Sequence, residues 1–253
     1  MSIVLDEYTW AQDAISKKEL GKKPIETLSR VAKYYTYKGY NKNEVGRQLE
    51  NFILQCDPET SILKWADKID AIVKYNTKKE LILIDYISIT ESELDVIISL
   101  KSKMEQRLAF VLLCLAKYNM IINPESDYWV NYKISDIMAM ANINTSVKHQ
   151  CELYYNLREQ GLIKYSKKVD SLAVHILFTD DDSIEVLKIS DFRNLGYQYL
   201  QYRGFPGIIN CEVCGITMKT NPLKKGRKIK YCPECALKMK IKKTKENYFK
   251  HIS

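Results

Sequence analysis

Histidine is scarce in this 253-residue chain, and none of its three copies stands near a cysteine or serine in a nucleophile motif. The sequence has no Gly-x-x-x-x-Gly-Lys phosphate loop, no glycine-rich dinucleotide fingerprint and no His-Glu-x-x-His. The familiar signatures of nucleotide hydrolysis, hydride transfer and metalloprotease chemistry are therefore missing. Close carboxylates such as Glu91 and Glu93 suit helix capping better than acid–base work, so a non-enzymatic protein is expected. No run approaches the roughly 18 apolar residues needed to span a bilayer, and the longest, Leu108 to Ala116, has the length of a core helix. The opening Met1-Ser2-Ile3-Val4-Leu5-Asp6-Glu7 lacks the basic stretch of a signal peptide.

Against those absences, 46% of the residues are hydrophobic, enough to bury a substantial core in two or three units. Three of the seven cysteines, Cys56, Cys114 and Cys151, fall within apolar periodic segments and read as buried free thiols. That usage suits a reducing cytoplasm.

The other four cysteines carry the strongest signal. Cys211 and Cys214 form one Cys-x-x-Cys pair, Cys232 and Cys235 a second, with seventeen residues between them. A two-residue gap lets both thiolates of a pair reach one ion from a tight turn, and the spacing between pairs matches four-cysteine zinc sites. Two unrelated reduced pairs, or two disulfides, are the competing readings. Gly215 stands where a knuckle needs a residue tolerant of positive φ, and Pro233 presets the turn of the second pair. Ile216-Thr217-Met218 and Ile229-Lys230-Tyr231 read as two short strands joined by a basic loop, Asn221 to Lys228. One structural Zn²⁺ with four thiolate ligands leaves no open coordination position for catalysis.

Charge is distributed unevenly. The chain carries a net +8, yet from Cys211 to Ser253 there are twelve basic and three acidic residues, a net +9, leaving −1 for everything before. Such a block is the footprint of a phosphate-binding surface, or else a solvated tail. After Cys235 an uninterrupted lysine-rich segment predicts a helix, with Leu237 and Ile241 on one stripe and Tyr248 and Phe249 available to stack on bases or to anchor the tail.

Helical periodicity fills the first eighty residues. Helices are expected over Tyr8 to Lys18, from Pro24 to near Gly39, from Asn41 with Glu44 as capping partner, and from Asp57-Pro58 with Leu63, Ile69 and Ile72 inward. Leu81 to Ile87 reads as a strand, and Thr90 with Glu93 as the next capping box. Further on, Leu108, Val111, Leu112 and Leu115 mark a buried helix and Ser135 to Ala141 a short one. Asn142-Ile143-Asn144 is a turn, and a helix capped by Thr145 runs to Gln160, ended by Gly161. Leu162 to Tyr165 and Leu172 to Leu177 then make a hairpin. In the third helix Val147, Cys151, Tyr154 and Leu157 are expected inward. Asp180-Asp181-Asp182 reads as a solvated turn, His175 as a cross-strand surface residue, and Gly204-Phe205-Pro206-Gly207 as a boundary.

Helix, short helix, turn, helix, hairpin is the order of a winged helix, and Leu157-Arg158-Glu159-Gln160-Gly161-Leu162-Ile163 closely resembles that family's junction from third helix to wing. The resemblance implies a third helix placed in a major groove, with Lys148, His149, Lys167 and Lys168 as contacts, or a winged helix used for protein contact. Cys211, Cys214, Gly215, Tyr231, Cys232, Cys235, Ala236 and Lys238 are similar to zinc-ribbon endings of small phage and mobile-element proteins of low-GC bacteria, and the central region separately resembles, in a generic way, the winged helices of phage replication organisers.

The expected fold is mainly α (α+β): a helical N-terminal region over 1–103, a winged helix-turn-helix domain over 104–203, and a zinc ribbon with basic helix over 208–253. The expected function is nucleic-acid binding, with duplex DNA as partner, in replication or transcription control within a bacterial cytoplasm. Lys224, Lys225, Arg227, Lys228, Lys230, Lys238, Lys240, Lys242 and Lys243 would supply phosphate affinity. The alternative is an effector docking on a host polymerase, replisome or defence complex.

Overall fold

A computed structural model describes residues 3–167, 173–220 and 229–250, with all side chains in those ranges except those of 242 and 245–250. Among the described residues there are ten α-helices and seven short strands. Two compact units divide the chain, Ile3–Asp85 and the part from Tyr86 onward. No helix among the described residues is long and apolar enough to cross a membrane.

The first unit is four helices, α1 (Glu7–Lys17), α2 (Pro24–Tyr37), α3 (Lys42–Cys56) and α4 (Ala66–Asn76). The first three starts are encoded locally. The Asp6 carboxylate accepts the Thr9 N–H at 2.9 Å, and Pro24 opens α2 where no amide proton is needed. At α3, Asn41 accepts the Glu44 N–H at 3.1 Å while Glu44 accepts the Asn41 N–H at 2.8 Å, a reciprocal capping box. Leu28, Val31 and Ala32 meet Val45, Leu49, Phe52, Ile53, Ile69 and Ile72 in one core.

Two expectations fail here. Asp57-Pro58 does not open the fourth helix: a 3₁₀ turn over Ile62–Lys64 precedes it, and Leu63 is 87% exposed. Leu81 to Ile87 is not a strand either, except that Ile87 begins the next one. That segment runs past the start of α1, with a single bridge between Asp6 and Leu83, because the buried Glu7 carboxylate captures the Ile82 N–H at 3.1 Å while pairing with Arg30 and Lys33.

The second unit is organised by one helix. β1 (Ile87–Thr90) and α5 (Glu91–Ser99) lead into α6 (Lys103–Ile122), whose residues Leu108 to Ala116 are all fully buried. Around it lie β2 (Trp129–Val130), α7 (Ile134–Met140), α8 (Val147–Glu159), β3 (Ile163–Tyr165), β4 (Val174–Ile176), β5 (Glu185–Ile189) and α9 (Leu195–Tyr202), followed by β6 (Ile208–Asn210), β7 (Thr217–Lys219) and α10 (Pro233–Lys250). β1 pairs with β5, β4 lies between β2 and β3, and β6 pairs with β7, all antiparallel. Leu172, expected in the second strand of the hairpin, lies outside the described residues.

In α8 the inward face differs from expectation. Ser146, not Thr145, caps the helix by accepting the His149 N–H at 3.3 Å. Leu153, Tyr154 and Leu157 are buried, which turns Cys151 to the exposed side, and Val147 in the first turn is 73% exposed. The helix packs on α6 along its Leu153–Leu157 ridge, so the Cys151 position rotates out. Cys114 is buried as expected and Cys56 is half-buried.

A charged pair is sealed inside this unit. Lys117 of α6 donates to Glu93 of α5 at 2.8 Å, to the Ser88 carbonyl of β1 at 3.0 Å and to Asp181 at 2.8 Å. Glu93, fully buried, also accepts the N–H groups of Thr90 (2.9 Å) and Asp180 (3.0 Å). The Asp180–Asp182 turn is thus fastened to the core through Asp181. Burial pushes the Asp181 carboxyl up, but hydrogen bonds from Lys117 and Tyr128 outweigh it and hold it below its ordinary value. A depressed carboxyl contributes stability that is complete above its unfolded pKa of about 3.9 and is lost as pH falls through the folded value. Replacing one member of a sealed pair leaves a buried charge, so Lys117→Met is expected to cost about 3–5 kcal/mol in urea unfolding, and Glu93→Gln added to it to restore part of that loss. A loss below about 1 kcal/mol would mean the pair is not sealed from water.

Candidate metal centre

The two knuckles are built by different local devices. In the first, the Gly215 N–H donates to the Cys211 carbonyl at 2.9 Å, and Gly215 takes φ +71°, a left-handed backbone that a side chain would strain. In the second, Cys232 precedes the first turn of α10, where Pro233 needs no amide partner and the Ala236 N–H donates to the Cys232 carbonyl at 2.9 Å. The knuckles are tied side by side by the Glu212 N–H on the Lys230 carbonyl, 3.0 Å, and by the Lys230–Glu212 ion pair, 3.0 Å.

The strand pairing differs from the sequence reading. β7 pairs not with Ile229 to Tyr231, which form no strand, but with β6 ahead of the first knuckle, in the register Ile208–Lys219, Ile209–Met218 and Asn210–Thr217. The Gly207 carbonyl accepts both the N–H (2.6 Å) and the hydroxyl (3.1 Å) of Thr220, closing the open end of this hairpin. The Gly-Pro cluster is therefore joined to the knuckle hairpin. A strand partner one side or the other of a knuckle is equally compatible with alternation over three residues, which is why periodicity did not decide it.

Cys211, Cys214, Cys232 and Cys235 converge with all four Sγ atoms within 4.8 Å of one another. The Cys214 and Cys232 sulfurs are 3.7 Å apart, and all seven cysteines are free thiols, not disulfides. A tetrahedron with metal–sulfur bonds of about 2.3 Å has edges of about 3.8 Å, so the cluster has the size to hold one metal ion. Its donors point the same way: the Cys232 N–H approaches Cys211 Sγ at 3.2 Å and the Cys235 N–H approaches Cys232 Sγ at 3.5 Å, bonds that favour thiolate sulfur.

Burial works against the Cys211 thiolate, but the backbone N–H groups of Cys232, Cys214 and Val213 outweigh it and bring the thiol down to about 6. Cys235 is pushed up to about 12, first by burial and then by the thiols of Cys232, Cys214 and Cys211. Four sulfurs so close resist shared ionisation unless a cation lies among them, and a bound dication removes that resistance. Among the described residues, Met218 is the one buried apolar side chain of the hairpin cluster apart from the cysteines, with Ile209, Ile216 and Tyr231 partly buried against it. So small a core needs a cross-link of this kind.

The other residues singled out in the sequence are not gathered into one place. Lys148 is exposed in the first turn of α8, and the neighbouring His149 ring is held by Glu152 at 2.9 Å. Lys167 is exposed beyond β3, whereas Lys168, Lys224, Lys225, Arg227 and Lys228 lie outside the described residues. Lys230 is exposed but paired with Glu212. Lys238, Lys240 and Lys243 are exposed on α10, and Lys242 is on the same helix without a described side chain. His175 is mostly enclosed, its ring edge-on to Trp129 at 5.1 Å and 3.3 Å from Asp127, and is not the surface residue expected.

Sequence reasoning missed the residues that dock the knuckles. Arg193 grips Asp191 with Nε and Nη2 at 2.8 and 2.6 Å and donates to the Cys214 carbonyl at 2.9 Å. Asn194 donates to the Thr217 carbonyl at 2.8 Å. Polar residues in an aromatic-rich segment gave no periodic signal. The class defined here is a mainly helical protein with a C-terminal four-cysteine cluster able to hold a metal ion. Compared with protein-family models, with curated proteins and with solved structures, the chain matches none.

Thiol titration under native conditions checks the centre. Metal-loaded protein is expected to offer one fast thiol to an aromatic disulfide reagent, Cys151, and after chelation five, as the four cluster cysteines are released. An unchanged count on chelation would rule out a shared ion.

Proposed function

We propose that the chain is a non-enzymatic nucleic-acid-binding protein, anchored on duplex DNA by a zinc ribbon and the basic helix that leaves it. Zinc is the ion that fits a closed set of four thiolates, being content with tetrahedral geometry and redox-inert. In this role it is structural: it cross-links two knuckles and offers no position for water or substrate.

The observation that carries the reading is the coincidence of charge and metal centre. The segment with net +9 begins at Cys211, and α10 starts at the second knuckle, so the metal centre orients a helix bearing Lys238, Lys240, Lys242 and Lys243. Phosphate contacts position a protein without reading sequence. The α6–α7–α8–β3–β4 order supports a winged helix-turn-helix for the central part. Work in replication or transcription control in a bacterial cytoplasm, as in the phage and mobile-element proteins the tail resembles, goes with this proposal.

A second role is favoured for α8 by its surface. Glu152 holds His149 and Glu159 holds Arg158, so little net charge is left to face phosphates. Val147 is 73% and Tyr155 51% exposed on the same helix, and the Arg158 guanidinium lies 5.0 Å from the Tyr155 ring centre and 5.7 Å from that of Tyr165. Tyrosine and arginine on a charge-balanced face are the composition of a protein contact. α8 thus suits a host protein, with the ribbon holding the nucleic acid.

Salt titration of duplex binding tests the first part. Each neutralised phosphate contributes about −0.9 to the slope of log affinity against log salt. Lys240→Gln, Lys242→Gln and Lys243→Gln together are expected to flatten the slope by about 2 to 3, without altering metal content. A slope near zero in the unaltered protein, or one that the triple change leaves as it was, would overturn the proposal.

A further inference from the structure

The hairpin that carries the first knuckle is attached to α9, and α9 is attached to the turn between α7 and α8. One asparagine takes part in both attachments. Asn194 precedes α9 in a left-handed conformation, φ +54°. Its amide is used at both ends: Nδ2 donates to the Thr217 carbonyl of β7 at 2.8 Å, and Oδ1 accepts from Asn142 Nδ2 at 3.0 Å. Asn142 lies in the α7–α8 turn, also at φ +54°, and its Oδ1 accepts the Tyr197 N–H at 3.0 Å. Arg107 of α6 donates to the Asn142 carbonyl at 2.7 Å.

Contact at this point is backbone on backbone. A Cβ placed on Gly196 would lie 2.0 Å from the Ala141 carbonyl oxygen, so α9 touches the turn with nothing in between. Alongside, Arg193 reaches the Cys214 carbonyl at 2.9 Å, a carbonyl belonging to one of the four ligands. From ligand to turn, the connection therefore takes two residues of α9's leading edge and one of the turn.

We propose that Asn194 and Asn142 are positioning residues that make the conformation of the α7–α8 turn, and with it the start of α8, depend on metal occupancy of the cysteine cluster. Closing the knuckles on a cation fixes the Cys214 carbonyl under Arg193 and the Thr217 carbonyl under Asn194. Opening them loosens both acceptors, because four crowded thiols and one buried methionine, with Ile209, Ile216 and Tyr231 only partly buried against it, do not hold the two knuckles together. Asn194 then loses the partner that sets its side chain, and Asn142 loses Asn194. By linkage, anything that fixes the turn also tightens the hold on the metal by the same factor. The device is independent of what α8 or α10 binds.

Amide hydrogen exchange on the full chain, metal-loaded and after chelation, tests it, with Asn194→Gly and Asn142→Gly as variants. Glycine keeps the left-handed backbone without strain and removes only the side-chain amide. In the unaltered protein, chelation is expected to accelerate exchange at Tyr197, Ile143 and His149 by about tenfold or more, while amides of α2 and α3 keep their rates. In either variant these three amides are expected to exchange fast with metal bound and to change less than about twofold on chelation, with metal affinity lowered by a matching factor. Three results would each overturn the proposal: turn amides that ignore chelation in the unaltered protein, variants that respond as strongly as it does, or an equal acceleration along α6, which marks unfolding of the whole unit.

Discussion

A helix buried on all sides has no solvent face on which to place polar residues, and α6 is such a helix from Leu108 to Ala116. Among the described residues, β1, α5, β2, α7, α8, β4 and α9 form the shell that covers it. An apolar surface alone does not say which way each covering element lies, since hydrophobic burial is non-directional. The polar residues at the two ends of α6 supply that information. Gln106 donates to the Leu100 carbonyl at 2.7 Å and accepts from the Tyr199 hydroxyl at 3.1 Å, fixing the entry from α5 and the height of α9. Glu105 accepts from Asn156 of α8 at 2.8 Å. At the other end Lys117 holds α5 and β1, and Asn119 donates to the Trp129 carbonyl of β2 at 2.7 Å. These directed bonds register α5, β1, β2, α8 and α9 against α6, and those of Gln106 and Lys117 are buried deeply enough that leaving them unmade is costly.

The knuckle hairpin obeys a different rule. It has almost no core, so its order depends on the polar contacts by which α9 receives it and on the cross-link that an ion held by the four cysteines would supply. That division explains why the chain can place so much positive charge beyond Cys211. Repulsion among lysines would open a segment stabilised only by shallow packing, whereas a coordinate cross-link and the directed bonds of Arg193 and Asn194 are indifferent to apolar area.

Much of this was legible in the sequence, and unevenly so. Helix starts with a reciprocal capping box were, because such capping is local: Asn41 with Glu44 and Thr90 with Glu93 announce themselves within three residues. The four cysteines were, because ligand spacing is a short-range constraint. What escaped were features decided by distant partners. Leu81 to Ile87 has the composition of a strand, yet the Glu7 carboxylate, seventy-five residues away from Ile82, claims its backbone. Ile229 to Tyr231 looked like the natural partner for β7, but the segment before Cys211 took the position. Lys117 sat in an apolar helix without a sequence neighbour to explain it, and its partners come from α5, β1 and the Asp180–Asp182 turn. The exposure of Val147 and Cys151 depended on the rotation of α8 about its own axis, which apolar spacing constrains only loosely when Leu153, Tyr154 and Leu157 can share the burial.

Gly196 has a consequence for how kinship to this protein is to be recognised. Cysteine pairs at two-residue spacing arise in many unrelated small domains, and lysine-rich tails drift freely. A residue whose smallest possible side chain would overlap the Ala141 carbonyl has no such freedom. Any chain that packs a helix onto such a turn with backbone touching backbone in this manner is bound to a glycine there. Gly196 is therefore under a stricter steric constraint than the two-residue spacing of the cysteine pairs.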